Sequence, residues 1–389
     1  MSLLPSDFLD HQEIHPSLRE KLERYGDQGG LLGILVYVFT YLESEDEQLA
    51  GTAAEIPPLL FVSSSLHDDA IDETALDSAV ERAGESSTRL TTRQFLNQHV
   101  TIGDLVFTHL IDRLDDLPDG FETGKVASSI RTIGTGQLDE DGFGSSEASK
   151  ADAVRRLDQR GSVWGDLVAT VVGASGSYSD DQLERLTTVS QNLLFVYTIF
   201  DDVEDLPEDI ENGVANAPVM LLEEGAVDDA DSSEAVVDAV LESDVPDQLD
   251  ALVEAREAEV EAAVRRFHED GDYSNEAILE ATSRALEWYA ESVCSRPLEE
   301  SVSEASQRTI REQLTGDDAT KREYIDSIIQ DAPLYGVPAD EIGREAATLS
   351  GRRLAPAITH LVHVQTLAAA TMPMHLEDAF SRLREKNAA

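Results

Sequence analysis

The chain has 389 residues and carries 78 Asp+Glu against 29 Lys+Arg, a formal charge of −49. Neutralising phosphates or an anionic lipid surface needs clustered Lys and Arg, so this balance excludes nucleic acid and an anionic membrane surface as expected partners. With 41% of residues apolar and gathered in periodic stretches, the acids read as the solvated surface of a folded protein rather than as a disordered one.

In chain order, the opening MSLLPSDFLDHQ lacks a basic n-region, so no signal peptide is expected. Apolar residues at three- and four-residue spacing predict helices over 31–42, 98–111, 163–173, 183–200, 248–267, 276–293 and 355–371, and strand signals are nearly absent. Turns are expected at GDQGG (26–30), LPDGFETG (117–124), DEDGFGSS (139–146) and GDDA (316–319). The longest apolar run, Leu31 to Leu42, is too short to span a bilayer. A single cysteine, Cys294, leaves no intrachain disulfide and fits a reducing interior, so a cytoplasmic location is expected. Acids spread along the whole length fit a salt-rich cytoplasm, where screening shortens carboxylate repulsion. The expectation is an all-α bundle over 1–315 with a helical extension over 316–389.

One residue in five is acidic, so acids at i, i+1 and i+4 are expected about three times by chance. Three such patterns occur: Asp68-Asp69-Ala-Ile-Asp72, Asp115-Asp116-Leu-Pro-Asp119 and Asp201-Asp202-Val-Glu-Asp205. The middle one contains Pro118 and runs into Gly120, which makes it a solvated turn. The outer two end apolar helices, LLFVSSSLH before Asp68 and NLLFVYTIF before Asp201. Carboxylates four apart on a helix repel, and more so inside an apolar bundle; divalent cations relieve that cost. Mg²⁺ suits such clusters because it takes one or two carboxylates together with the oxygens of a substrate diphosphate. Two clusters facing each other would hold a metal-bridged diphosphate and stabilise it as a leaving group, the chemistry of class I isoprenoid enzymes.

Over residues 25–300 the sequence resembles the trans-isoprenyl diphosphate synthases, or polyprenyl synthetases. Leu66-His67-Asp68-Asp69-Ala-Ile-Asp72 looks like the family's first Asp-rich motif, and Gly103-Asp104 like the Gly-Asp that follows it. Gly136-Gln137-Leu-Asp139 is similar to its GQ-x-x-D segment, one residue shorter. Arg160-Gly-Ser-Val-Trp164 and Gly173-Ala174 resemble its Lys-Thr helix, with Arg in the Lys place. Phe200 to Asp205 resembles the second motif, and Asp209 to Pro218 its tail. The resemblance implies the class I isoprenoid synthase bundle, with Asp68, Asp69, Asp72, Asp201, Asp202 and Asp205 on Mg²⁺ and Gln137 and Arg160 on an allylic isoprenoid diphosphate. It implies condensation with isopentenyl diphosphate, and small Ser63 and Ser64 before the first motif imply a product of about twenty carbons or longer. Family members are commonly dimers, which implies a homodimer.

Departures from the pattern are equally specific. Where the family has a basic GGKRxRP loop this chain reads Gly29-Gly30-Leu31-Leu32-Gly33. Phe61 stands for the His before the first motif, Asp77 and Ser78 for the paired Arg after it, Thr198 for the Gln before the second, and Val214 and Asn216 for the tail's Lys and Thr. Arg82, Arg89 and Arg93 are the candidate substitutes for the missing bases. Three readings follow: elongation, ionisation without a second diphosphate (cyclase, lyase or transfer to a neutral acceptor), and a non-catalytic partner subunit of an active homologue.

Overall fold

The computed structural model describes residues 14–71, 92–137, 150–176, 178–212, 214, 216–222 and 232–271, with scattered positions between 273 and 387. Every regular element among the described residues is helical: α1 (Pro16–Ser44), α2 (Glu47–Ala54), α3 (Ile56–Ile71), α4 (Thr92–Asp115), α5 (Thr123–Gln137), α6 (Lys150–Leu157), a π-turn (Asp158–Ser162), α7 (Val163–Gly173), α8 (Asp180–Glu204), α9 (Leu206–Asn212), α10 (Ala217–Met220), α11 (Ser233–Glu242) and α12 (Val245–Gly271). The all-α expectation holds, as does the turn after α4, where Asp115, Asp116 and Asp119 are exposed. The stretches 139–146, 316–319 and 355–371 lie outside the described residues.

Local signals set several boundaries. Asp46 caps α2, its carboxylate accepting from the backbone N–H of Gln48 (3.0 Å) and Leu49 (3.1 Å). Ser179 and Gln182 form a reciprocal capping box on α8. Pro57 and Pro58 sit in the first turn of α3, where a missing N–H leaves no intrahelical bond unmade.

The turn expected at 26–30 is not there: GDQGG lies inside the 29-residue helix α1. Packing outweighs the low helix propensity of glycine. A Cβ on Gly29 would lie 3.1 Å from Pro58 Cα, and one on Gly33 2.6 Å from the Ala54 carbonyl oxygen, so these glycines let α1 lie against α2 and α3. One described run, Glu47–Ile71, is long and apolar enough to cross a membrane; 61% of its apolar window is buried in the bundle, as in a core helix.

The apolar interior falls into two main clusters. One joins α1 to α5 and α7, with Leu18, Val36, Leu59, Leu66, Val106, Leu167 and Trp288. The other joins α6 and α8 to α12, with Leu157, Phe195, Ile199, Val203, Leu206, Val240 and Leu249. Phe380 and Leu383, from the 316–389 segment, are buried in this second cluster.

The helices α7 and α8 touch backbone to backbone. A Cβ on Gly165 would sit 2.4 Å from both the Gln191 nitrogen and the Ser190 carbonyl carbon, neither of which can swing aside. Gly165→Ala is therefore expected to destabilise the fold by about 1–3 kcal/mol or more, read as a lower melting temperature. The charge of −49 leads to a second expectation. The Debye length shrinks from about 10 Å at 0.1 M salt to about 3 Å at 1 M, so Tm should rise with NaCl across that range; a flat Tm would show that the acids are already neutralised in pairs.

Candidate active site

Helix directions place the two Asp-rich ends at the same end of the bundle. Helices α1 and α3 run antiparallel, with Tyr25 beside Asp69, Gly29 beside Pro58 and Phe61, and Gly33 beside Ala54. Helices α7 and α8 are antiparallel too, with Gly165 beside Ser190 and Gly173 beside Leu183, and the π-turn's Gly161 continues this pairing against Leu194 and Thr198. The rings of Phe61 and Trp164 join the pairs edge to face at 5.5 Å. Tyr178, beyond the end of α7, donates its hydroxyl to the carbonyl of Phe39 far along α1. Hence the start of α1, the end of α3, the π-turn and the end of α8 share one end of the bundle, and with them Asp68, Asp69, Arg160, Asp201 and Asp202. Phe61 lies two turns below Asp68 on the same helix face, and Trp164 one turn below Arg160.

At the end of α3, Asp69 accepts from Tyr25 OH (2.9 Å) and pairs with Lys21 Nζ (2.8 Å), both from α1. Burial and the Asp69 charge push the Tyr25 phenol well up, so it acts as a neutral donor. His99 of α4 is buried, and its Nδ1 donates to the Phe95 carbonyl at 3.0 Å. Burial lowers its pKa, and its Nε2 stands 3.8 Å from Asp69 Oδ2, beyond hydrogen-bond reach. His67 Nε2 lies 3.3 Å from Asp104 Oδ1, over Gly103, where any side chain would strike its ring.

At the end of α8, Asp202 is only 1% exposed and its carboxylate is enclosed. Its Oδ2 accepts from Arg156 NH1 (2.6 Å) and from the Ala217 backbone N–H (2.9 Å), and its Oδ1 from Arg160 NH1 (3.4 Å). The amide of Asn216, fully buried, donates to the Asp202 carbonyl (2.6 Å) and to Asp209 Oδ2 (2.7 Å). Asp201 is pushed up to about 7, first by desolvation and then by Asp205, with Arg160 opposing. Asp209 is pushed up to about 6 by burial, against the pull of its bond from Asn216. Four carboxylates (Asp201, Asp202, Asp205, Asp209) thus face two guanidiniums (Arg156, Arg160). With Asp201 and Asp209 ionised, the cluster would carry an excess of two negative charges, which a divalent cation would balance. Among the described residues no group of three or more His, Cys, Asp or Glu side chains is placed to hold a metal ion.

Among the residues singled out by sequence, Asp72 and Arg89 lie outside the described residues, together with Arg82, Asp77 and Ser78. Arg93 is exposed in the first turn of α4, and Gln137 closes α5. Ser63 is buried and donates to the Gly103 carbonyl at 2.9 Å, tying α3 to α4, while Ser64 donates to its own helix at the Phe61 carbonyl (3.1 Å). Sequence reasoning missed Arg156, Lys21, Tyr25 and His99. The available signal for Arg156 was its place one turn before Arg160 in a chain poor in bases; nothing local marks the other three, whose neighbour Asp69 is 30–48 positions away.

No family model matches the sequence, and no curated protein matches it. Among solved structures the chain is similar to a geranylgeranyl pyrophosphate synthetase from Pyrococcus horikoshii Ot3, at 17% identity and TM-score 0.46 over 72% of this chain and 90% of that one. It is similar to a geranylgeranyl pyrophosphate synthase from Lactobacillus brevis ATCC 367 (16%, TM-score 0.44, 72% and 88%). It is also similar to a decaprenyl diphosphate synthase from Rhodobacter capsulatus (16%, TM-score 0.43, 78% and 91%). These likenesses are of backbone outline.

Proposed function

We propose that the chain is an enzyme of prenyl transfer that binds an allylic isoprenoid diphosphate through Mg²⁺ and ionises it. The observation that carries this reading is the acid-rich end of α8, where four carboxylates meet two guanidiniums, at the same end of the bundle as the end of α3. Mg²⁺ held by Asp201 and Asp205, with Asp68 contributing from the end of α3, would neutralise the diphosphate as it leaves. Arg160, one-third exposed, can turn from Asp202 toward the diphosphate while buried Arg156 keeps Asp202 neutralised. Below the polar end, the Phe61 and Trp164 rings offer apolar walls and π-faces to an allylic cation and keep water from it.

By the resemblance, the next step is condensation with isopentenyl diphosphate to a product of about twenty carbons or longer. One observation favours ionisation without a second diphosphate instead. In the segment aligned with the family's basic loop, Gly29, Gly30, Leu32 and Gly33 are buried, with Gly29 against Phe61 and Leu32 in the core, and the segment contains no Lys or Arg to present to a ligand. Lys21, two turns earlier, is already paired with Asp69.

Incubating the protein in high salt with Mg²⁺ and geranyl, farnesyl or geranylgeranyl diphosphate, with and without isopentenyl diphosphate, separates these outcomes by product mass. A C5-extended product supports elongation. Diphosphate release without extension supports cyclisation, elimination or transfer to a neutral acceptor. The absence of any turnover would remove the enzyme reading and leave a partner subunit.

A further inference from the structure

The helical run from Lys150 to Gly173 is interrupted by the π-turn Asp158–Ser162, and Arg160 stands at its centre. A π-turn is rare and concentrates at functional sites; it persists where its surroundings brace it. Two braces hold this one. On one side Gly161 admits α8, since a Cβ there would lie 2.6 Å from the Leu194 carbonyl oxygen. On the other side Arg256, from α12, reaches across two helices. Its NH2 donates to Asp158 Oδ1 (3.3 Å), an oxygen that also accepts from Ser162 Oγ at 3.0 Å. Its NH1 donates to Asn192 Oδ1 (2.9 Å), and its guanidinium lies over the buried Phe195 ring, 4.1 Å from the centroid. Asn192 is itself buried and donates its amide to the Thr188 carbonyl at 2.8 Å, so its acceptor is directed at Arg256. Both ends of the π-turn, Asp158 and Ser162, are therefore tied through one oxygen to Arg256, while Arg160 leaves the same turn toward Asp202.

We propose that Arg256 and Asp158 are positioning residues that hold the π-turn so that Arg160 is presented to the substrate diphosphate beside Asp201. This rests on the reading of Arg160 as a ligand of that diphosphate. Neither Arg256 nor Asp158 touches the reacting atoms. The fork of Arg256 matters as well as its charge, because its two terminal nitrogens address different helices.

The test compares wild type with Arg256→Gln, Asp158→Asn, the double variant and Arg256→Lys, with Arg266→Gln on the same helix as control. KM for the allylic diphosphate should rise about 10-fold in Arg256→Gln and Asp158→Asn with kcat little changed. The double variant should be no worse than either single one, since both act through one turn. Arg256→Lys should recover part of the loss, and Arg266→Gln should match wild type. A second readout needs no turnover: the Nε–Hε resonance of Arg160, assigned through Arg160→Lys, should move in Arg256→Gln and Asp158→Asn in substrate-free protein. If wild type releases no diphosphate, the reading of the function fails while this resonance still decides the positioning role. An unmoved Arg160 resonance in folded variants, or a lower Tm with unchanged KM, would overturn the proposal.

Discussion

Replacing Arg156 by Met is expected to lower the unfolding free energy by about 3–5 kcal/mol, measured by denaturant titration in high salt. Arg156 is 3% exposed and Asp202 1%, so both charges are held away from water, and without Arg156 the buried Asp202 would keep the longer 3.4 Å contact from Arg160. The loss reaches further than one ion pair. The same Asp202 oxygen that binds Arg156 accepts the backbone N–H of Ala217 at the start of α10, and the Asp202 backbone carbonyl anchors Asn216. Asp202→Ala should therefore cost as much, leaving Arg156 buried without its anion and α10 without its anchor. Removing both charges in Arg156→Met/Asp202→Leu should cost clearly less than the sum of the single changes, because an apolar pair of similar volume substitutes well for a buried salt bridge. Additive losses would show that the two residues contribute through separate contacts.

Asp201→Asn is expected to divide function from stability. Loss of the carboxylate should reduce Mg²⁺-dependent diphosphate release by about 10³-fold, equivalent to several kcal/mol of leaving-group stabilisation. The metal-free fold should instead become more stable. Burial and then Asp205 push Asp201 up to about 7 from 3.8, and burial pushes Asp209 up to about 6. Above the unfolded value the native protein holds protons that the unfolded chain has released. Stability from these groups is thus complete near pH 4 and is lost as pH rises through about 6 to 7. The Asn variant removes the Asp201 share of that slope, so without metal it should exceed wild type in Tm near pH 8 and match it near pH 4. Wild type should regain the difference when Mg²⁺ is added, by mass action on the native state, and the variant should not. Equal Tm values for the two proteins at both pH values would remove Asp201 as the strained carboxylate of this cluster.

The secondary structure was largely legible because apolar spacing is local: the runs at 98–111, 163–173, 183–200 and 248–267 all lie inside observed helices. The turn expected at 26–30 failed because a Gly-Gly pair reads locally as a breaker, whereas here close helix crossing makes glycine necessary. The Asp residues at 68 and 201 stood out through the apolar helices that they end. Their bases did not, since Lys21 lies 48 positions from Asp69, and Arg156 46 from Asp202. Such pairings are set by helix packing, and one sequence carries no record of which distant charges meet. The π-turn was illegible for a similar reason: Asp158-Gln-Arg-Gly-Ser162 has no special composition, and its brace comes from Arg256, about one hundred residues on.

The low overall basicity also takes a different meaning at the residue level. Two guanidiniums are drawn to Asp202 and one ammonium to Asp69, so the second Asp of each described pair is occupied by protein cations. Asp201 lies in the same cluster, raised by burial and by Asp205 with Arg160 opposing. On the proposed function, a chain of charge −49 would recruit an anionic diphosphate through bound cations and a few well-held arginines.

The most direct test of this account is diphosphate release from geranylgeranyl diphosphate by the purified chain in high salt, with Mg²⁺ or with excess chelator, beside Asp201→Asn. The account predicts release that requires Mg²⁺ and collapses in the variant; release that survives the chelator, or that is equal in Asp201→Asn and wild type, would contradict it.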